Sequence, residues 1–331
     1  MKARRGESEG RDVRLGTPRA THGAATHAKG ETHPAFTLVL AGGGARGFAH
    51  VGVLRALTSG GLRPSALVGV SMGAVVAATY ALNPNWYEAL LSANTASLPG
   101  PRLSTSSTDG SGPLRGLRRT GRVAETLWRM TRGWGVPPDR VAPSLRLLRS
   151  LTRGRGLRGG LVPVAVCATD LRTGKRVVLS AGNAAESVYA SSALAGVLPP
   201  LEKDDRLLVD GAYADLAPID VARAFGHPLV IAVDPGQQQF DGPLQNGLQA
   251  LVRALEICHT HHAQLRFAQA DLVLRPAFRG TVDLLEFEAR RECVAAGIRT
   301  VRQHRHRLRG LMAHLEDRSE DAQRKKSRPS P

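Results

Sequence analysis

"AGGGARGFAHVGVLRAL", Ala41 to Leu57, sets a glycine cluster directly against an amphipathic stretch. Upstream, "AFTLVLA" (35–41) is a short apolar run of β-formers and reads as a buried strand that ends in the glycines. Downstream, Phe48, Val51, Leu54 and Leu57 recur at helical spacing until Gly60-Gly61 closes the segment. The reading is strand, tight turn, helix. The next unit repeats it: "ALVGV" (66–70) is a second buried strand, Ser71 falls at the turn, "MGAVVAATYAL" (72–82) is a helix of small residues, and Asn83-Pro84 stops it.

Beyond a short helix over 86–93, "NTASLPGPRLSTSSTDGSGPLRG" is dominated by Ser, Thr, Gly and Pro. It reads as an insertion over about 94–121, either a lid or a solvated linker, followed by helical pieces around "VAETLWRM" and "SLRLLRSL". Regular structure returns with "LVPVAVCATDL", which forms a hairpin with "RTGKRVVLS" around Thr173-Gly174. A helix through "AAESVYASSAL" comes next, and a strand then delivers Asp210 to a glycine turn in "RLLVDGAYADLAPIDVARAFG". "PLVIAVDPG", a long helix over 248–270, the strand "DLVLRPAF" and a final helix through Leu315 complete the pattern. Strands alternating with helices predict an α/β fold of three layers, α/β/α, around a mostly parallel sheet. One domain over 34–315 is expected, between a polar, basic N-terminal arm (1–33) and a charged C-terminal tail (316–331).

A chain of 331 residues with 42% apolar content can bury a large core. The formal charge of +17 concentrates at the ends and in stretches such as "PLRGLRRTGR", a surface that attracts polyanions. Aromatic content of 4% leaves little for bases to stack on, and no zinc-finger spacing or RNA-recognition signature is present, which argues against nucleic acid as the partner. Anionic membrane remains as a peripheral contact. Cys167, Cys258 and Cys293 are widely separated, which predicts a reducing compartment, ordinary buried thiols and no metal. The charged N-terminal run has no apolar core behind it, and "SALVGVSMGAVVAATYALNPNW" is broken by Gly, Ser and Pro, so neither a signal peptide nor a membrane span is expected and the chain reads as cytoplasmic. Nothing in the sequence sets an oligomeric state.

"GVSMG" is a G-x-S-x-G placed between a predicted strand and a predicted helix. On such an elbow the serine is forced into a strained turn that aims its hydroxyl away from the sheet, while Gly69 and Gly73 avoid collision with neighbouring elements. The plainer reading of Ser71 is a helix cap. Gly42, Gly44 and Gly47 also satisfy G-x-G-x-x-G, the mark of a dinucleotide site, but that site needs a carboxylate about twenty positions on, at the end of the second strand. The second strand ends in the serine elbow instead. Gly42, Gly43, Gly44, Ala45, Arg46 and Gly47 therefore read as an oxyanion hole, with backbone N–H groups converging ahead of a helix and Arg46 adding positive charge.

A serine hydroxyl needs a base. His259, His261 and His262 fall within a helical pattern and read as helix surface, and His50, one turn into the first helix, reads as packing. Asp210, at the end of "RLLVD" and followed by Gly211 and Ala212, is the better candidate, because a water-poor pocket raises a carboxyl toward the working pH. Asp170 and Asp234 also end strands, but the sequences after them look structural.

With these elements assembled, the sequence resembles the patatin-like phospholipase family across roughly Ala35 to Leu315. The resemblance rests on "GGGARGFAHVGVLRAL", "GVSMG", "ATDLRTGKRVVLS" and "ASSALAGVLPPLEKDDRLLVDGAYADLAPIDVAR", in that order. Val70 stands where threonine or alanine is commoner, and Asp215 where asparagine is usual. The resemblance implies the patatin-like version of the fold and a serine–aspartate dyad of Ser71 and Asp210. It also implies the Gly42–Gly47 turn as oxyanion hole, an acyl-enzyme intermediate, no cofactor and no metal. The implied substrate is a phospholipid or another fatty-acyl ester. Two alternatives stay open: a nucleotide-binding oxidoreductase using the glycine turn, and a non-catalytic scaffold of the same fold.

Overall fold

The computed structural model describes residues 34–95, 141–237, 244 and 247–326. The arm over 1–33, the insertion of about 94–121 from residue 96 onward, and the helical piece expected after it around 123–130 lie outside them.

Eight strands form one sheet: β1 (Phe36–Leu40), β2 (Ala66–Val70), β3 (Val164–Asp170), β4 (Arg176–Leu179), β5 (Leu201–Lys203), β6 (Arg206–Asp210), β7 (Leu229–Val233) and β8 (Leu272–Leu274). The order is β5-β6-β3-β2-β1-β7-β8, with β4 on the other edge of β3. The central pairs β3/β2, β2/β1, β1/β7 and β7/β8 are parallel, and β3/β4, β3/β6 and β5/β6 are antiparallel.

Both faces of the sheet are covered, and the period-2 geometry of a strand sorts the side chains between them. Phe36, Leu38 and Leu40 of β1 enter one core, while Val39 and Ala41 enter the other. The first core packs under α1 (Ala49–Ser59), α2 (Met72–Leu82), α3 (Trp86–Ser92), α4 (Val141–Leu151), α5 (Ala184–Ser192), α8 (Arg290–Gln303) and α9 (Arg305–Lys326). The second packs under α6 (Ile219–Arg223) and α7 (Gly247–Phe267). α2 is apolar nearly all round because it is buried nearly all round, with Ala74, Val76, Ala77, Ala78, Ala81 and Leu82 inside. Truncating a core residue such as Leu67, fully enclosed, costs about 2–5 kcal/mol by removing contacts and leaving a cavity.

Three features differ from the sequence expectation. A hairpin joins β5 to β6 through Asp204 and Asp205, both left-handed at φ 50° and 57°. Helix continues past Leu315 to Lys326, and the final helical stretch is two helices broken at His304. Cys258 is exposed, whereas Cys167 and Cys293 are buried as expected.

Candidate active site at the ends of β2 and β6

β2 pairs with the first half of β3, ending with Val70 opposite Cys167. β6 pairs with the second half, with Asp210 opposite Ala168. β4 occupies residues 166–169 on the opposite edge, so β2 and β6 share one edge of β3 and run toward each other along it. Their carboxyl ends meet head-on. Asp210 thus reaches the elbow on an antiparallel strand, not by lying at the common carboxyl end of a parallel sheet.

Ser71 follows β2 at φ 54° and ψ −125°, a positive-φ conformation that costs a residue with a side chain about 1–3 kcal/mol. Neighbouring glycines allow it. A Cβ on Gly73 would stand 2.0 Å from the Leu40 carbonyl oxygen, and one on Gly69 2.5 Å from Ala74 Cα. Ser71 begins α2, yet its side chain makes no cap. Its hydroxyl donates instead to Asp210 Oδ2 at 2.6 Å. The backbone is fixed from α5: the Ser71 N–H donates to Ser191 Oγ at 2.9 Å, Ser191 donates to the Cys167 carbonyl at 2.6 Å, and Ser192 Oγ donates to the Ser71 carbonyl at 3.2 Å.

The other carboxylate oxygen of Asp210, Oδ1, accepts the Ala212 N–H at 2.9 Å. Thr169 Oγ1 donates to the Asp210 carbonyl at 2.8 Å and accepts from the Ala214 N–H. Gly211 lies where a Cβ would stand 2.1 Å from the Cys167 carbonyl oxygen. Burial raises the Asp210 carboxyl to about 6, against the opposing pull of the Ser71 and Ala212 hydrogen bonds.

The glycine turn joins this pair: a Cβ placed on Gly42 would lie 3.5 Å from Ser71 Cβ and 3.6 Å from Ala212 Cβ. Among the described residues no acceptor takes the N–H of Gly42 or Gly43. Ala45 is a correction to the sequence reading, because its N–H is already committed to the Leu284 carbonyl at 2.7 Å. Gly44 stands at φ 54° against the same carbonyl, and Gly47 packs on Met72. Arg46 is half-buried, and its Nε has no partner among the described residues. Burial pushes its guanidinium below the ordinary value, opposed by the charges of Glu256, Asp234 and Asp283.

The rival groups fall elsewhere. His259 lies edge-to-face with Tyr213 at 5.7 Å, and among the described residues none of the α7 histidines bonds to Ser71 or Asp210. Asp170 accepts from Arg172, Thr173 and Leu207 and closes the β3–β4 hairpin. Asp234 binds Gly236 and Arg275. Asp215, buried behind the Asp210 turn, is held by Arg176 of β4 at 2.5 Å and Arg266 of α7 at 2.7 Å, and both arginines also bind Asp220. Two arginines thus support a carboxylate where the resembled pattern has an amide. Ser191, Ser192, Arg176 and Arg266 carry no local signal, since each meets its partner from a distant part of the chain.

Among the described residues no cluster of His, Cys, Asp and Glu could hold a metal, and no helix is long and apolar enough to cross a membrane. A cleft of about 40 Å³ opens beside the turn at Leu216 and Asp234. The larger cavity, about 250 Å³, lies at the β5–β6 hairpin and shares no residue with the Ser71–Asp210 pair.

Sheet, elbow and carboxylate together define an α/β protein with a serine–aspartate pair where two opposed strands end. Residues 38–223, more than half of the chain, match the family model described as patatin-like phospholipase, and the protein belongs to that family. An uncharacterized NTE family protein of Mycobacterium tuberculosis is 29% identical over 215 residues, covering 63% of this chain and 51% of that protein. Lysophospholipase NTE1 of Saccharomyces cerevisiae is 28% identical over 218 residues, covering 64% of this chain and 11% of that protein. The chain therefore spans about half, or much less, of the curated relatives it matches. Among solved structures, VipD of Legionella pneumophila aligns with 82% of this chain and 66% of its own, at 14% identity and a TM-score of 0.45.

Proposed function

We propose that the chain is a lipid acyl hydrolase with Ser71 as nucleophile and Asp210 as its base. The observation that carries this reading is the 2.6 Å hydrogen bond from the Ser71 hydroxyl to a buried carboxyl raised to about 6. At neutral pH that carboxylate is mostly ionised and close enough in basicity to accept a proton in the transition state. Asp210 takes the hydroxyl proton as Ser71 Oγ bonds to the ester carbonyl carbon, and the carbonyl becomes an oxyanion. The N–H groups of Gly42, Gly43 and Gly44 stabilise it, with Arg46 adding positive charge. The tetrahedral intermediate collapses, the leaving alcohol takes the proton from Asp210, and the acyl group stays on Ser71. Water, losing a proton to Asp210, then releases the fatty acid and restores the serine.

Family membership and the lysophospholipase name of the yeast relative favour a phospholipid or lysophospholipid among acyl esters. The excess of basic residues favours peripheral contact with an anionic, cytoplasm-facing membrane surface, which vesicle binding should report as a strong dependence on salt. The test of the chemistry is direct. A fluorophosphonate should label wild type at Ser71, and Ser71→Ala and Asp210→Asn should each lower turnover of a lysophospholipid panel by about 10³-fold or more with the fold retained. Wild-type turnover by either variant would remove the mechanism.

A further inference from the structure

His50 is fully buried in the first turn of α1, close behind the glycine turn. Its Nε2 lies 2.8 Å from the Ala41 carbonyl oxygen. A carbonyl only accepts, so Nε2 carries the proton and the neutral ring presents Nδ1 as a bare acceptor. Nδ1 is buried with no partner among the described residues. Leaving a buried nitrogen unpartnered is destabilising, and an apolar side chain of similar size would avoid it. What the imidazole provides in return is one directed bond, to one particular carbonyl.

That carbonyl has an unusual position. The parallel ladders of β1 end at Leu40, paired with Gly69 on one side and Val233 on the other. Ala41 is the first residue beyond both, and its N–H is still held by the Val233 carbonyl at 3.2 Å. Its own carbonyl is claimed by His50. The same oxygen forms part of the wall against which the elbow helix packs, since a Cβ on Gly73 would stand 2.8 Å from it. The Ala41–Gly42 peptide is trans, so its C=O and N–H point in opposite directions in one rigid plane. Fixing the Ala41 oxygen on His50 therefore fixes the Gly42 N–H on the side away from α1. A hydrogen bond to the carbonyl also polarises the peptide and strengthens its N–H as a donor.

We propose that His50 is a positioning residue for the reaction: through the Ala41 carbonyl it holds and polarises the Gly42 N–H toward the oxyanion formed at Ser71. His50 touches no reacting atom and transfers no proton. The inference rests on the Ser71–Asp210 reading above and assigns to one buried side chain the alignment of its first oxyanion donor.

The experiment uses the full chain and a p-nitrophenyl acyl ester together with its thionocarbonyl analogue, whose sulfur accepts hydrogen bonds poorly. His50→Leu removes the donor, whereas His50→Gln places an amide N–H near the Nε2 position. His50→Leu should lower kcat by about 10–100-fold with KM within about twofold, a part of the loss typical of removing an oxyanion donor outright. Its preference for the oxygen ester over the thiono ester should shrink by a similar factor. His50→Gln should restore most of both. A folded His50→Leu protein with wild-type kcat and preference overturns the inference, as does His50→Gln impaired as deeply as His50→Leu. If His50→Leu does not fold, His50→Gln and His50→Asn decide, because the shorter Asn amide cannot reach the Ala41 carbonyl; equal kcat in the two overturns the inference. Ser71→Ala run alongside separates the failures: full turnover there sinks the dyad itself, whereas an inactive Ser71→Ala beside an unaffected His50→Leu sinks only the role of His50.

Discussion

Val70 and Asp210 stand end to end along one edge of β3, paired with the adjacent residues Cys167 and Ala168. Two strands that run in opposite directions thus terminate at a common point, and the next residue after Val70 is Ser71. The separation of 139 residues between hydroxyl and carboxylate is closed by strand register. The side chains need only complete a contact that the backbone has already arranged.

With Asp210 as base and its carboxyl raised to about 6 by burial, kcat/KM should rise with pH through an apparent pKa near 6 and level off above it. A pH–rate profile on a water-soluble ester checks this. A limb governed by a group titrating near 8 or above would assign the base elsewhere.

Stability should respond to acid through two buried groups acting in opposite senses. His50, lowered by burial to about 4 from an ordinary 6.5, contributes stability present above pH 6.5 and lost as pH falls toward 4. Asp210, raised to about 6, contributes stability present below about pH 4 and lost as pH rises through 6. The two largely offset in the wild type. Removing one exposes the other, so between pH 7 and 4.5 Asp210→Asn should lose about 1–3 kcal/mol more than wild type, and His50→Gln should change in the opposite direction. Denaturant titrations at the two pH values measure it; parallel curves for all three proteins would contradict the assignment. Asp220, held down to about 2 by the Arg176 hydrogen bond, adds a loss only below about pH 4.

Behind the Asp210 turn, Arg176 and Arg266 clasp Asp215 and Asp220 between β4 and α7. Arg266→Ala leaves a buried carboxylate with half its support and should destabilise the fold by about 1–3 kcal/mol. Because Arg176 still holds Asp215, kcat should fall less than tenfold. An unchanged melting temperature would show the clasp to be dispensable.

Two glycines should respond to the same substitution with opposite signs. A Cβ on Gly297 of α8 would stand 2.1 Å from the Ala49 carbonyl oxygen of α1, backbone against backbone. Gly297→Ala should therefore cost about 2 kcal/mol or more by forcing the helices apart. Gly310 of α9 has nothing within 4 Å of such a Cβ, so Gly310→Ala should gain about 0.5–1 kcal/mol from reduced backbone freedom in the unfolded chain. Thermal melts of the two variants suffice.

Much of the framework around the candidate site was legible because its pieces are local. The apolar run 36–40, the glycines after it and the G-x-S-x-G at 69–73 each announce a strand and a sharp turn within a few residues. The reverse direction of β6 was not legible, because it depends on which edge of β3 the chain returns to, and nothing in "RLLVD" encodes an edge. Ala45 was misjudged for a related reason: the Leu284 carbonyl that takes its N–H arrives from a loop 239 residues away. Arg176 and Arg266 look like ordinary surface arginines until two distant elements bring them to one carboxylate. The helix beyond Leu315 was obscured by its charge, which reads as a solvated tail even where the backbone stays helical.

At the end of α3, Arg290 donates to the carbonyls of Leu91 and Ala93 and to Thr95 Oγ1. At the end of α4, the Asn83 side-chain amide donates to the Leu151 carbonyl, with Leu148 and Leu151 in the core. The chain thus leaves for residues 96–140 from one moored post and is tied down again through α4 at a second, both on the helical layer and apart from β2 and β6. Each post is held by a side chain from elsewhere in the chain, Arg290 at one and Asn83 at the other, so the helix ends that border residues 96–140 owe their positions to groups already fixed within the folded domain.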